Sequence, residues 1–157
     1  GLANLDDIAG NSKRLMGMSL GSEDFSASAG MEPTPEGLLA PNQAIVFASR
    51  RAGILPFGFP ASIADYNDID RFRETIRFAR QLGFVGALCI HPIQVGVLND
   101  EFTPSAAELE QARQLIAAYE QGLSEGKGAV EFQGKMIDAP VVARARELLR
   151  TTARVEL

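Results

Sequence analysis

A short hairpin followed by a helix is predicted in the stretch EFQGKMIDAPVVARARELL, residues 131–149. The Gln133-Gly134 pair is typical of a tight turn, and Asp138 falls between the second strand and the helix. An Asp before an Ala-Pro pair is a good helix N-cap, worth about 1 kcal/mol. A hairpin with an Asp at its tip can also deliver a catalytic acid into a neighbouring site. The residues alone leave both roles open.

Two adjacent carboxylates, Glu23 and Asp24, stand in LGSEDFSASAG, directly after an apolar run. Spacing alone favours Asp24 as the N-cap of a helical turn over FSAS. In the alternative, Asp24 binds a hard divalent cation at a strand end while nearby backbone N–H groups hold a substrate carboxylate. Mg2+ usually takes one or two protein carboxylates, so a second one should lie nearby. Glu23 points the other way if the backbone there is extended.

His91 is the single histidine and stands in CIHPIQV, where a general base is conceivable. Pro92 suits a helix N-terminus, so we expect the imidazole to cap or hydrogen-bond the backbone instead. The turn could still line a ligand channel, because a helix N-terminus attracts phosphate. Cys89 lies within an apolar run and is expected to be a buried small hydrophobe in a strand. The sequence contains no nucleophile elbow, P-loop or dinucleotide fingerprint.

Predicted strands and helices alternate along the chain. The strands are LMGMSLG, ILPFGF and FVGALCI, and the helices are LDDIAGNSKR, PNQAIVFASRRAG, DRFRETIRFARQLG and SAAELEQARQLIAAYEQGL. A loop is expected over SEDFSASAGMEPTPEG and on through residues 30–41, and Ser105 with Glu108 has the spacing of a capping box. Continuous apolar strands separated by amphipathic helices indicate βαβ units with a buried parallel sheet.

The polar residues of interest follow the predicted strands, where parallel α/β folds place their active sites. Asp24 follows the first strand, Pro56 to Pro60 the second, and His91 the third. Three strands cannot close a (β/α)8 barrel, which takes about 250 residues. The sequence therefore predicts either a small open sheet or the last part of a larger barrel.

Composition limits the class of protein. With 157 residues and 46% hydrophobic content, a single soluble globular domain is expected. A net charge of -5 with interspersed signs gives no footprint for nucleic acid or anionic lipid. One cysteine and one histidine exclude an internal disulfide and a structural zinc site, so any metal must have oxygen ligands.

Targeting signals are not evident in the sequence. No run approaches the ~20 apolar residues of a membrane span, and no charged-then-apolar leader precedes the first predicted helix. A cytoplasmic location is therefore the default expectation. The chain starts with Gly1, almost inside a helical pattern, which suggests that an upstream segment was removed or omitted.

Three stretches carry a family resemblance. In order, LGSEDFSAS, ARQLGFVGALCIHPIQVGVLNDEFTPS and GKMIDAPVVARARELL resemble the C-terminal half of the citrate lyase beta subunit-like and malyl-CoA lyase family, Mg2+-dependent carbon-carbon lyases of the HpcH/HpaI aldolase superfamily. The resemblance implies an α/β chain comprising about strands six to eight of a (β/α)8 TIM barrel plus a C-terminal helical and hairpin extension. Residues 1–100 would be the partial barrel. Residues 101–157 would be the extension, which contributes to a neighbouring subunit of a homotrimer or hexamer.

The same resemblance assigns roles near the first strand. Asp24 corresponds to the Mg2+ ligand after strand six. The amides around Gly21, Ser22 and Glu23 correspond to the pocket for the carboxylate of a glyoxylate-like fragment. The family's second metal carboxylate, a Glu, and its substrate-binding Arg would lie upstream of Gly1, so this chain is expected to hold part of a site.

Two further assignments follow from the resemblance. His91 and Pro92 match the turn beside the coenzyme A channel. Asp138 matches the acid/base that the extension delivers into the adjacent subunit. The implied reaction is cleavage or formation of a 3-hydroxyacyl-CoA thioester, such as malyl-CoA or citramalyl-CoA, through an enolate that must receive a proton on carbon.

Departures from the family pattern keep alternatives open. GILPFGFPASIADY lacks the Asp-containing pattern of strand seven in the citrate lyase subunits, and Ala87 replaces a common Lys. These differences leave the substrate open more than the reaction. One alternative is a pyruvate-type class II aldolase that acts on free keto acids without coenzyme A. The other is a non-catalytic fragment that binds coenzyme A, because the upstream Glu and Arg are absent.

Overall fold

The computed structural model describes residues 1–64 and 67–153, with side chains described as far as Arg150. Asp65 and Tyr66, which end the stretch GILPFGFPASIADY, and residues 154–157 of the predicted extension lie outside the described residues. The chain divides into two compact units, one over Gly1–Phe102 and one that begins at Thr103. No helix in the described part is long and apolar enough to cross a membrane.

The first unit alternates short strands with helices, as an α/β chain does. After a 3-10 turn at Leu2–Asn4, its elements are α1 (Leu5–Gly10), β1 (Gly17–Ser19), α2 (Ser22–Ala29), α3 (Pro35–Ala52), β2 (Leu55–Phe57), α4 (Ile69–Leu82) and α5 (Pro92–Phe102). β1 and β2 pair in parallel, with Gly17 opposite Leu55 and Ser19 opposite Phe57. The predicted βαβ connection between the first two strands is confirmed.

The predicted third strand, FVGALCI, is wrong as a strand. It forms a single parallel bridge, between Phe57 and Gly86, with Val85 N–H donating to the Pro56 carbonyl at 3.1 Å. The described residues supply a partner strand on one side only, so the run is not buried as a central strand would be. Leu88 and Ile90 are 66% and 58% exposed. The apolar composition of this run predicted a buried strand, but these two side chains are exposed in the described structure.

The region before α3 also differs from prediction. The segment SEDFSASA, expected to be a loop, is helix α2, and the predicted loop over residues 30–41 shrinks because α3 begins at Pro35. Thr34 caps α3 by accepting a hydrogen bond from Gly37 N–H at 3.2 Å, and Pro35 occupies the first helical position. This Thr-Pro pair is a stronger helix start than Pro41, which lies inside the helix.

The core of the first unit includes one face of α4, the helix predicted over DRFRETIRFARQLG. Phe72, Ile76 and Ala79 are buried, as their spacing predicts, and Phe72 packs edge-on against Phe59 with ring centroids 5.5 Å apart. Asp68 caps α4 by accepting from Arg71 N–H at 3.0 Å. These contacts attach α4 to the segment that follows β2.

An ion-pair cluster joins α4 to α5. Glu101 Oε1 lies 2.6 Å from Arg73 Nη1, and its Oε2 lies 2.9 Å from Arg77 Nε. The hydrogen bonds from Arg77 lower the pKa of Glu101 below its ordinary value; partial burial opposes this effect, and the hydrogen bond and charge of Arg73 lower the pKa further. Glu101 therefore stays ionised across the neutral range and links the two helices.

The second unit is a helical pair with a hairpin. Its elements are α6 (Ala106–Ser124), β3 (Val130–Phe132), β4 (Lys135–Ile137) and α7 (Ala139–Ala153). The capping box of Ser105 and Glu108 is confirmed. Gln133 and Gly134 both have positive φ, 52° and 74°, and join the antiparallel strands as a two-residue type I′ turn. The predicted hairpin and following helix are confirmed.

A close helix-to-hairpin contact occurs at Gly122 of α6. A Cβ atom there would overlap the Val130 side chain, so only glycine permits this approach. The hairpin then buries Ile137 with Tyr119 and Val142 in a small core. Burial of one such aliphatic side chain contributes about 1.5–3 kcal/mol. The hairpin can therefore pack this close to α6 only because residue 122 is a glycine.

We predict that Gly122→Ala destabilises the chain by about 1–3 kcal/mol, although alanine is the better helix former, because branched Val130 cannot rotate away freely. Urea unfolding followed by circular dichroism would measure the effect. The matched control is Gly128→Ala, where a Cβ meets no atom within 4 Å. A Gly122→Ala protein as stable as the unsubstituted chain would contradict the tight contact.

We also predict that Glu101→Gln lowers the free energy of unfolding at pH 7 by roughly 1 kcal/mol. Because the folded-state pKa of Glu101 is depressed, its contribution is fully present above the unfolded pKa and is lost as pH falls through the folded pKa. The difference between the two proteins should therefore close in acidic solution. Glu74→Gln makes the same charge change at an exposed position of α4 and should matter less. Equal effects of the two substitutions at pH 7 would contradict this role of Glu101.

Candidate functional sites at the starts of three helices

The carboxyl ends of β1 and β2 lie side by side because the two strands pair in parallel. α2 begins three residues after Ser19, and Gly58 follows Phe57 directly. Gly58 has a φ of 138°, and its N–H donates to the Gly86 carbonyl at 3.0 Å. A side chain there would be strained and would lie 3.3 Å from the Phe84 ring. Glycine at position 58 therefore lets the backbone after β2 pack closely against Phe84 and Gly86.

The start of α2 corrects the capping role considered for Asp24. Gly21, with extended backbone, is the N-cap and supplies no side-chain hydrogen bond, while Asp24 is the third helical residue. The helix begins earlier than FSAS because Phe25 N–H already bonds to the Gly21 carbonyl at 2.9 Å. A Cβ at Gly21 would lie 3.6 Å from Asp24 Oδ2, so the exposed carboxylate folds back over its own helix start. The N–H groups of Ser22, Glu23 and Asp24 precede the first intrahelical donor, Phe25 N–H, and so have no acceptor within the helix.

Glu23 is directed toward the loop after β2 rather than toward a shared site with Asp24. Its Oε1 accepts a hydrogen bond from Ser62 Oγ at 2.5 Å. The same hydroxyl accepts from Ala64 N–H at 3.1 Å. The backbone around Glu23 is helical, so the extended geometry considered from the sequence does not apply. Glu23 is thus paired with the loop after β2, whereas the Asp24 carboxylate lies near Gly21.

The residues fit a magnesium ion as one ligand, not as a complete site. Within residues 1–64 and 67–153, no three His, Cys, Asp or Glu side chains form a metal-holding group. Mg2+ prefers oxygen and usually keeps waters beside one or two carboxylates. Asp24 offers an exposed carboxylate of that kind at a strand end, next to uncapped amides. The remaining ligands would have to be water, substrate or other residues.

The His91-Pro92 turn forms the start of α5. His91 Nδ1 accepts from Ile93 N–H at 3.3 Å, which confirms the predicted capping contact of the imidazole. Gln94, fully buried, accepts from Ile90 N–H at 3.1 Å and from His91 N–H at 3.2 Å through Oε1. The turn is thereby held from both sides, while its surface position leaves Pro92 and His91 exposed.

Cys89 is partly buried against the core of the first unit. Its predicted place in a strand is wrong, because residues 87–90 form no ladder in the described structure. The apolar side chain still packs as expected of a small hydrophobe.

Asp138 caps α7, as its sequence position predicts. Its Oδ1 accepts from Val141 N–H at 3.3 Å and its carbonyl accepts from Val142 N–H at 3.1 Å. The side chain is half-buried, between the buried Ile137 and the exposed start of the helix. Met136, two residues before Asp138 along the strand, is 77% exposed. Asp138 therefore lies at the junction of β4 and α7, where its own helix holds it, and not at the hairpin tip, which is the Gln133-Gly134 turn.

The predicted site residues fall into three groups. Gly21 to Asp24 lie together at the start of α2, His91 and Pro92 at the start of α5, and Asp138 at the start of α7 in the second unit. All three positions are helix N-termini, where backbone N–H groups favour anions.

The sequence did not lead us to predict the contacts of two residues, Gln94 and Ser62. Gln94 carries a readable signal, because a Gln at the third position of a helix that starts with Pro is the second half of a capping box. Ser62 carries none, since its partner lies 39 residues away and the pairing depends on the strand register.

The chain is similar to several known proteins. A family profile described as HpcH/HpaI aldolase/citrate lyase matches residues 1–92. The chain is 36% identical to L-malyl-CoA/beta-methylmalyl-CoA lyase of Cereibacter sphaeroides over 96% of its length and 52% of that protein. It is 37% identical to citrate lyase subunit beta of Escherichia coli K12, over 100% of its length and 51% of that protein.

A solved structure is similar in fold. It is the protein CitE of Mycobacterium tuberculosis in complex with magnesium, acetoacetate and coenzyme A, at a TM-score of 0.77 and 28% identity, with 98% of this chain and 57% of that chain covered. The chain thus spans about half the length of the curated relatives it matches. The profile match over residues 1–92 and the identity to two lyases over nearly the whole chain lead to one conclusion: this chain belongs to the HpcH/HpaI aldolase/citrate lyase family.

Proposed function

We propose that this chain forms part of a carbon-carbon lyase that cleaves or forms a 3-hydroxyacyl-CoA thioester such as malyl-CoA. The observation that carries the proposal is the 36% identity to L-malyl-CoA/beta-methylmalyl-CoA lyase across 96% of the chain. The CitE relative, crystallised with magnesium, acetoacetate and coenzyme A, supports the same class of ligands. Residues 1–100 would supply about strands six to eight of a (β/α)8 barrel, in the cytoplasm, and residues 101–157 the extension.

Cleavage of such a thioester requires two distinct contributions. The hydroxyl group loses its proton to solvent, the carbon-carbon bond breaks with its electron pair on the thioester side, which forms an enolate, and the hydroxyl carbon becomes the carbonyl of a glyoxylate-like fragment. Mg2+, when bound with Asp24 as one ligand, would stabilise negative charge on that fragment's oxygens. The amides of Gly21, Ser22 and Glu23 would hold its carboxylate, because they begin α2 without a capping side chain.

Asp138 would supply the proton that the enolate carbon must receive. The cap holds Oδ1 against Val141 N–H, which restrains the carboxyl group at the start of α7. A neighbouring subunit of a trimer or hexamer would present its strand ends to this position. His91 and Pro92 would lie beside the coenzyme A channel, where the start of α5 favours phosphate.

We predict that Asp138→Asn lowers turnover of malyl-CoA in the full protein by about 10²–10⁴-fold, because Asn caps a helix nearly as well as Asp but supplies no carboxyl proton. Glyoxylate release in the presence of MgCl2, followed as its phenylhydrazone, would measure the rate, and circular dichroism would verify the fold.

The matched control for that experiment is Asp68→Asn, which changes the N-cap of α4 in the same way. Its turnover should equal that of the unsubstituted protein. Undiminished turnover in Asp138→Asn would contradict the acid/base role. Equal rates with pyruvate-type keto acids in the absence of coenzyme A would favour an aldolase instead.

We further predict that Asp24→Asn raises the Mg2+ concentration for half-maximal activity by more than about tenfold, since loss of a direct ligand exceeds the tenfold effect of many outer contacts. Direct Mn2+ binding, followed by electron paramagnetic resonance, would give the affinity without reliance on turnover. Asp7→Asn, an exposed carboxylate in the first turn of α1, is the control and should leave the affinity unchanged. Unaltered Mn2+ affinity in Asp24→Asn would exclude Asp24 as a ligand.

A further inference from the structure

A single hydroxyl group connects the two strand ends next to the proposed site. Ser62 Oγ lies 2.5 Å from Glu23 Oε1 and 3.1 Å from Ala64 N. A backbone N–H can only donate, so the hydroxyl accepts from Ala64 and its own proton is directed to Glu23. The Glu23 carboxylate is thus the acceptor of a charge-assisted hydrogen bond, which is the stronger kind.

This hydrogen bond determines where the Glu23 charge lies. Glu23 and Asp24 are consecutive residues in the first turn of α2, whose amides have no capping side chain. An exposed Glu at the second helical position is close to those amides, which attract anions. Ser62 draws the carboxylate instead toward the loop that follows β2.

We infer that Ser62 is a positioning residue that withdraws the Glu23 carboxylate from the start of α2, so that the proposed Mg2+ ligand Asp24 is the one carboxylate left beside the first-turn amides that a substrate carboxylate would approach. The inference rests on the proposed function, because it concerns the same carboxylate pocket. It gives Glu23 two separate parts in the site: its amide faces the substrate, and its side chain is held away.

A released carboxylate would act as an internal competitor. Without the hydroxyl, Glu23 loses its partner, and its negative charge occupies or repels anions from the amides of its own helix turn. Binding of a small carboxylate should weaken, while the chemical step at an occupied site should change little. Neutralising Glu23 should relieve the defect, which a mere loss of packing at Ser62 would not allow.

The test measures binding of oxalate, a two-carboxylate probe, to the full protein in MgCl2 by isothermal titration calorimetry, together with kcat and KM for malyl-CoA formation from glyoxylate. Ser62→Ala should raise the oxalate Kd and the glyoxylate KM about tenfold and leave kcat within about twofold. Ser62→Thr keeps the hydroxyl and should bind oxalate like the unsubstituted protein. The double substitution Ser62→Ala with Glu23→Gln should recover most of the lost affinity.

The control is Ser124→Ala, which removes an exposed hydroxyl bonded to the Gln121 carbonyl in the second unit and should leave oxalate binding unchanged. An unchanged Kd in Ser62→Ala, or a double variant as weak as Ser62→Ala alone, would overturn this inference while the proposed function stands. If the unsubstituted protein neither binds oxalate nor forms malyl-CoA, the proposed function is overturned, and this inference with it.

Discussion

The parallel pairing of β1 with β2 is the constraint on which the first unit depends. Three residue pairs, from Gly17 opposite Leu55 to Ser19 opposite Phe57, bring the two carboxyl ends to one edge. A Cβ at Gly17 would lie 2.5 Å from the Phe57 ring, so the register requires glycine at its first position. A slip of one residue would turn every side chain to the opposite face and would separate Ser62 from Glu23. The local chemistry at this edge is therefore a consequence of strand register.

The second unit positions its proposed catalytic residue, Asp138, by a different set of contacts. Asp138 does not depend on a sheet edge but on a type I′ turn, a glycine contact on α6 and the buried Ile137. Each of these fixes the hairpin against its own helices, so the position of Asp138 relative to α7 is set by local structure. If Asp138 acts in a neighbouring subunit, as proposed, this rigidity would matter, because misplacement of a catalytic group by about 1 Å can lower the rate by two orders of magnitude.

The sequence predicted what local chemistry determines and missed what distant partners decide. Helix α4, the capping box at Ser105 and the hairpin before Asp138 follow from spacing within a few residues. FVGALCI has the composition of a buried strand, yet a strand forms only where a second chain segment offers hydrogen bonds. The Ser62 contact was unreadable for the same reason. Family resemblance supplied the roles of Asp24 and Asp138, which composition and spacing left undecided between capping and catalysis.

Capping and proton transfer make compatible demands on Asp138, because a carboxyl group has two oxygens. In the described structure Oδ1 accepts from Val141 N–H, and that bond restricts rotation of the whole group. Oδ2 takes no part in that bond, so it is the oxygen that would carry the proton in the proposed reaction. The cap therefore orients the Asp138 carboxyl group and uses only one of its two oxygens as an acceptor. Capping of α7 by Asp138 would in this way hold the carboxyl group in place for the proposed proton transfer.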